Sequence, residues 1–278
     1  MTRADAWLLD PFGASLGRWG GAPSGGAPAP AWWQPIADLV GDGFITVYTE
    51  GVDTSGAGGA QVNSWADVRG GVVWAQTGAG STRPTLEEDG IVLDGIDDRL
   101  EADEFASILD NAYTLLVGFD DPEDATTTTR CLISTSQPDG SSTARQTVFP
   151  YSRPGDPLTT RQQYRIVDTA GVAVSLTSLS ALAAGPYDLV ARVGAPGASF
   201  GVAQIASPGT SIGSATRPNN EASAYTLLTL GSRRTGATPS LAQYWEGRVR
   251  YVILADSILS DAEIATIRTA LVAQGLVT

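Results

Sequence analysis

The chain has 278 residues, 42% of them apolar, and a formal net charge of −13. That apolar content can build a core, which excludes a globally disordered chain, and the acidic balance disfavours direct contact with phosphate backbones. His is absent and Cys131 is the single cysteine, which removes Ser-His-Asp and Cys-His catalysis, His-ligated zinc, four-cysteine metal sites and an intramolecular disulfide framework.

No stretch approaches the roughly 20 apolar residues that span a bilayer. The early apolar run 6–9 is interrupted by Asp5, Asp10 and Pro11, so no signal peptide is read. The expectation is a soluble protein made in a cytoplasm, without nucleic-acid partners or membrane insertion. Cys131 stands in the apolar run Cys131-Leu132-Ile133 and reads as a buried structural thiol.

Residues 1–43 are predicted to form an arm ahead of a single sandwich over 44–278. Segment 20–30 reads GGAPSGGAPAP, a composition that builds no regular structure. Yet Trp7, Trp19, Trp32 and Trp33 lie in or beside it. Two readings stand together: these tryptophans fold back over the sandwich, or they anchor the arm in pockets of a partner.

From Phe44 onward, short β-rich runs follow one another, each bounded by Gly, Pro, Asp, Asn or Ser. They cover 44–49, 62–68, 72–76, 113–119, 130–134, 146–151, 162–167, 172–176, 187–193, 199–205, 225–231 and 248–254, with 51–59 as a Gly-rich turn. In the last run Val249, Tyr251 and Ile253 alternate with Arg248, Arg250 and Val252, which predicts two distinct faces. Ser260-Asp261-Ala262-Glu263 then spells a capping box. Ile264, Ile267, Leu271 and Val272 recur at helical spacing up to Gly275. Ile258, Leu259 and this helix are expected to plug one end of the sandwich. Trp65, Trp74 and Trp245 lie in apolar runs and read as core.

Several of these residues fall into a recognisable order. Val62-x-x-Trp65-x-Asp67 comes first, then Arg83-Pro84-Thr85-Leu86, then Leu93-Asp94-Gly95-x-Asp97-Asp98-x-Leu100, and finally Leu259-Ser260-Asp261-Ala262-Glu263-Ile264. The series resembles laminin G-like, concanavalin A-like jelly-roll domains of the kind found in tailed-bacteriophage virion proteins. The resemblance implies an all-β jelly-roll sandwich with one short C-terminal helix and an irregular N-terminal arm. It further implies a tail fibre, spike or capsid decoration, assembled in the host cytoplasm and carried on the virion. The arm would join other virion proteins and the sandwich would meet host-surface polysaccharide, an arrangement compatible with a homo-oligomer.

Asp97-Asp98 and the acidic patch 120–124 invite a calcium reading. Two carboxylates fall short of the roughly six to eight oxygens calcium takes, so a fixed turn at the first and a solvated loop at the second are preferred. No metal or other cofactor is expected. Jelly-roll glycosidases resembling this fold carry E-x-D-x-E, but Glu101-Ala102-Asp103-Glu104-Phe105 fails that pattern at Phe105. Lyases of similar architecture use His. The chain is therefore read as non-enzymatic. Sugar binding asks only for aromatic faces and polar groups, offered by Tyr151, Arg153, Tyr164 and Arg165 on neighbouring predicted strands and by Arg233 and Arg234 in a predicted loop. The competing view is that these are ordinary surface residues. A free carbohydrate-binding module, or a glycan-degrading enzyme with an unrecognised carboxylate pair, are the alternative functions. Any ligand surface is expected between about 120 and 235, away from the C-terminal closure.

Overall fold

The computed structural model describes residues 31–54, 61–76, 83–103, 105–121, 130–136, 145–151, 163–167, 173–177, 185–219, 227–235, 240–242 and 244–277. Trp7, Trp19, segment 20–30, Glu104, residues 122–124 of the acidic patch and Arg153 lie outside them.

The first elements are α1 (Gln34–Val40), β1 (Phe44–Val47), β2 (Val52–Thr54), β3 (Val62–Ala66), β4 (Val72–Ala75), β5 (Thr85–Glu87), β6 (Gly90–Asp94) and β7 (Leu100–Ala102). Next come α2 (Ala106–Leu109), β8 (Tyr113–Asp121), β9 (Cys131–Ser136), β10 (Arg145–Tyr151), β11 (Gln163–Val167), β12 (Ala173–Thr177) and β13 (Gly185–Val193). The chain closes with β14 (Ser199–Gln204), β15 (Ser207–Thr216), β16 (Leu227–Leu230), β17 (Arg233–Thr235), β18 (Ser240–Ala242), β19 (Glu246–Ala255) and α3 (Asp261–Ala273).

Two large antiparallel sheets result. Sheet A runs β15-β14-β13-β8-β19-β6-β5, with β1 also pairing β19. Sheet B runs β12-β11-β10-β9-β16-β7-β4-β3-β2, and β17 pairs β18 apart from both. The last strand, β19, occupies the middle of sheet A, with β8 along one edge and β6 then β1 along the other.

The inner faces of the two sheets meet in one apolar core that takes in Trp65, Trp74 and Trp245. Trp65 and Trp74 stand opposite each other on β3 and β4. Their indole N–H groups donate to Val47 O (2.8 Å) and Thr46 Oγ1 (3.3 Å), which satisfies both polar edges inside the core. Phe119 meets Trp245 edge-on at 5.9 Å between ring centroids. Cys131 is buried, its Sγ 3.3 Å from Ile133 O.

The other face of sheet A is apolar too, and this decides where the helices go. Ile45, Val47, Leu116, Val190 and Ile253 are covered by Ile36 and Val40 of α1 and by Ile264, Ile267 and Leu271 of α3. An apolar sheet face must be covered, so the C-terminal helix lies across a sheet instead of plugging an end. Leu259 is buried, whereas Ile258 is 45% exposed and Val272 43%. The capping box is present: Glu263 N–H donates to Ser260 Oγ (3.3 Å) and Ser260 N–H to Glu263 Oε2 (2.7 Å). Those bonds from Ser260 hold the Glu263 carboxyl below its ordinary pKa.

Helix α1 departs from the expectation of an irregular arm up to residue 43. Pro opens its first turn, and Ile36 and Val40 recur at helical spacing on its buried side. The compact sandwich unit begins at Trp32. Trp32 packs against the helix layer, and its Nε1 donates to Glu50 Oε1 at 2.6 Å.

The expected alternation along β19 also breaks. Val249 pairs with Phe119 and Tyr251 with Gly118, which leaves Arg250 as an extra residue. This bulge sends Val249 into the sandwich core and Tyr251 and Ile253 to the helix side.

The Trp65-x-Asp67 motif has a structural task. Asp67 holds Arg69 through Oδ2 contacts of 3.0 and 2.7 Å, and the same guanidinium donates to Gly41 O (3.0 Å) and to Gly43 O. The β3–β4 turn is thereby tied to the α1–β1 turn. Among the described residues, no helix is long and apolar enough to cross a membrane.

Candidate functional site

The outer face of sheet B carries a row of polar residues in cross-strand register. From β12 to β7 the facing positions are Ser175, Arg165, Thr147, Ser134, Thr229 and Glu101. Beyond β7 the row continues through Ala75, Ser64 and Asp53. Only Ala75 is apolar, while the neighbouring positions Leu100, Ile133, Ile166, Leu228 and Leu230 belong to the core. Strands lie about 4.8 Å apart, so Arg165 and Glu101 are separated by about 19 Å.

The chain leaving β16 crosses this row. Gly231 adopts φ 88°, and a Cβ there would meet Leu93 Cδ2 at 2.7 Å and Asp98 O at 2.8 Å, so only glycine fits the crossing. Ser134 Oγ donates to Ser232 O at 2.9 Å. The hydroxyls of Thr229 and Ser232 are fully buried with no hydrogen-bond partner among the described residues. Arg99 Nε lies 3.7 Å from Glu101 Oε1 without making a hydrogen bond. Arg165 is half-buried, with its Nε hidden from solvent, and it makes no hydrogen bond or ion pair among the described residues. A buried polar group without a partner is costly, and native proteins hold few of them. Ser134, Thr229 and Glu101 are buried, whereas Arg165 is half-buried and Ser175 exposed, so the β11–β12 end of the row is where ligand oxygens can complete the bonding.

The residues expected to bind sugar map largely to this sheet. Arg165 lies in the row itself. Tyr151 is on β10 opposite Cys131, and Tyr164 is on β11 opposite Leu176. Arg233 and Arg234 belong to β17, a strand rather than a loop, where they face Ala242 and Leu241, and Arg233 is buried. Ser134 and Thr229 were not singled out from the sequence, and Glu101 was considered only as the first residue of the glycosidase pattern. Their signal was slight: one polar residue between apolar ones, as in Leu228-Thr229-Leu230.

A concavity of about 560 Å³ lies elsewhere, between β13–β15 and the start of α3. Its floor includes Gly201, Ser211 and Ser214, and exposed Ile258 forms a wall. The charged rim is already satisfied. Arg192 donates to Leu259 O (2.6 Å), Pro208 O (3.0 Å) and Asp261 Oδ1 (2.7 Å). Sheet B, with its unpartnered groups, is therefore the stronger candidate.

The Leu93-Asp94-Gly95 turn behaves as the fixed turn expected of it. Asp94 Oδ1 accepts from Ile96 N–H (2.8 Å) and Asp97 N–H (3.2 Å), while Asp94 N–H donates to Asp98 Oδ2 (2.9 Å). Carboxylate oxygens of Asp94, Asp97 and Asp98 come within 4.8 Å of one another. Burial raises Asp98 from 3.8 to about 6, helped by the charges of Asp94 and Asp97 and opposed by the backbone bond from Asp94. Between those values the folded state keeps a proton that the unfolded chain has lost, so stability falls as pH rises through the window. Solvent screening of a group at the edge of the fold reduces the expected loss to about 1–2 kcal/mol. Denaturant titration from pH 3.8 to 6 should show it, and Asp98→Asn should flatten the curve; an Asp98 midpoint at the ordinary carboxylate value would contradict it.

Of the acidic patch, Asp120 and Asp121 complete β8 opposite Pro186 and Gly185 rather than forming a loop. Asp120 lies 4.0 Å from Arg248.

No protein-family model matches this chain, and no curated protein matches it in sequence. Solved structures do match. The Trypanosoma rangeli sialidase in complex with sialic acid aligns at TM-score 0.53 and 14% identity, over 85% of this chain and 33% of that one. The fold is a jelly-roll β-sandwich. The binding domain of botulinum neurotoxin serotype D aligns with the jelly roll at TM-score 0.51 and 12% identity, covering 78% of this chain and 50% of its own. The CBM40 domain of the Ruminococcus gnavus IT-sialidase, bound to α2,6-sialyllactose, aligns at TM-score 0.47 and 12% identity over 64% of this chain and 96% of its own. This jelly-roll chain spans about a third of the length of the trypanosomal sialidase it matches.

Proposed function

We propose that this chain is a non-catalytic carbohydrate-binding sandwich that holds its ligand on the outer face of sheet B. The observation that carries the reading is the polar row across sheet B, at whose solvent-reachable β11–β12 end the half-buried Arg165 guanidinium stands beside exposed Ser175 without a partner among the described residues. Such a mixture of donors and acceptors suits the hydroxyls of a sugar. A sialidase solved with sialic acid is among the structures this chain resembles, over about a third of that protein's length, a likeness in keeping with a sugar ligand. The non-enzymatic reading is supported at Phe105, the position that breaks the glycosidase pattern. Its ring packs edge-on against Phe44 at 5.0 Å and serves the core. Glycan-array binding by the full chain tests the proposal. Binding to a defined set of sugars with no release of reducing ends supports it; no binding at millimolar sugar contradicts it, and sugar release would make the chain an enzyme.

Display on a tailed-phage particle remains the finer reading, supported by the order of motifs from Val62 to Ile264. Because the sandwich unit begins at Trp32, the deletion that tests an anchoring arm ends at residue 31 and leaves α1 intact. Loss of particle incorporation supports anchoring through Trp7 and Trp19, and unchanged incorporation contradicts it.

A further inference from the structure

We infer that the sugar carried on sheet B bears an anionic group, a carboxylate or a sulfate, and that Arg165 is its charge partner. This rests on the reading of sheet B as the sugar-binding face. The argument comes from how charge is distributed in an acidic chain. Arg69 pairs with Asp67, Arg130 with Glu246, Arg192 with Asp261, Arg248 with Glu87 and Asp89, and Arg250 with Asp188. Arg217 has no carboxylate among these pairs but donates to three backbone carbonyls. Arg165 and, on α3, Arg268 have neither kind of partner among the described residues, although the Nε of each is hidden from solvent; of the two, Arg165 lies in the sheet B row.

Among the described residues, the surroundings of Arg165 offer it no counter-ion. Its neighbours in the row are Ser175 and Thr147, followed by Ser134 and Thr229. The first carboxylate along that direction, Glu101, is about 19 Å away. A guanidinium offers a planar fork of N–H donors that matches two oxygens of a carboxylate or sulfate. With Nε hidden and the residue half-buried, the charge is partly desolvated without a counter-ion, a cost that an arriving anion relieves. The exposed Ser175 beside it suits the neutral part of a sugar. A densely charged polyanion is disfavoured by the net charge of −13. The ligand class that fits is an oligosaccharide with sparse acidic groups.

Calorimetric titration of the full chain tests this with matched neutral, uronate-bearing, sialylated and sulfated oligosaccharides, for the native protein and for Arg165→Gln. Acidic sugars should bind about tenfold more tightly than their neutral counterparts, and the advantage should shrink at high salt. Arg165→Gln should weaken acidic-sugar binding by about ten- to a hundredfold while leaving neutral-sugar binding nearly unchanged. Its thermal unfolding should match the native protein, because Arg165 holds no other described side chain in the free state. The preference between the carboxylate and sulfate arms identifies the anion. Equal binding of neutral and acidic sugars, or an Arg165→Gln variant that binds acidic sugars at native strength, overturns the charge inference while the sugar reading survives. Failure of every sugar to bind overturns both.

Discussion

Arg217→Ala is expected to destabilise the protein by about 4 kcal/mol, close to the stability margin of many domains. Arg217 follows β15 and is 1% exposed, so its guanidinium is almost wholly inside the fold. It donates to Leu109 O (2.9 Å), Asn111 O (2.7 Å) and Gly194 O (2.9 Å). Its backbone adds to the clasp: Gly197 N–H donates to Arg217 O, and Arg217 N–H donates to Ala198 O. One residue thus ties the end of α2, the start of β8 and the β13–β14 turn together. Removing its side chain leaves three carbonyls without those charge-assisted donors. Lys cannot repair the loss, since a single ammonium cannot fork across three acceptors spread over two segments. Denaturant unfolding of Arg217→Ala and Arg217→Lys checks this. A loss below about 1 kcal/mol in the Ala variant would mean that the clasp contributes little.

Gly118→Ala is expected to cost about 3 kcal/mol. Gly118 lies inside β8, where a glycine marks the close approach of another group. That group is the Tyr251 ring: a methyl at Gly118 would overlap it, with Cδ1 at 2.7 Å and Asp188 Oδ1 at 2.9 Å. Tyr251 cannot retreat cheaply. Its hydroxyl donates to Asp188 Oδ1 (2.9 Å), the oxygen that also takes Arg250 NH2 (3.0 Å), and all three residues are buried or nearly so. Burial raises the Asp188 pKa against the opposing pull of Arg250 and the Tyr251 hydroxyl, and burial likewise pushes Tyr251 well up. Moving the ring therefore disturbs a buried ion pair as well as the packing. A double-mutant cycle separates the causes: in a Tyr251→Ala background, the cost of Gly118→Ala should shrink. An unchanged cost would place the effect in the strand backbone instead.

Strands with strong local signals were readable from the sequence. The β-branched and aromatic runs at β1, β8, β13 and β19 appear where expected, within a few residues of their ends. β15 was missed because SPGTSIGSAT is polar along nearly its whole length, with no residue fully buried. Its identity comes from backbone pairing with β14, a contact that leaves no apolar alternation along the strand itself. α1 was hidden by its Gly- and Pro-rich approach, although Ile36 and Val40 carried the helical spacing. Arg250 looked like one more alternating residue, and its bulge depends on the register with β8.

The candidate site was less legible for the same reason. A transverse row exists only once nine strands are aligned, and a single polar residue between apolar ones, as at Thr229, does not announce which face it will join. Arg165 was read as one surface arginine among several. What sets it apart is that it lacks a partner among the described residues while standing in the sheet B row, which depends on strand register and on where the carboxylates have gone. The clasp at Arg217 spans more than a hundred residues, from Leu109 onward, and left no local trace in the sequence.

The most direct test of the account is a structure of the full chain bound to its best oligosaccharide. The sugar is expected on the outer face of sheet B, with an acidic group against the Arg165 guanidinium and hydroxyls toward Ser175. A sugar seated instead in the groove beside Gly201 and Ile258, with the sheet B row untouched, would contradict it.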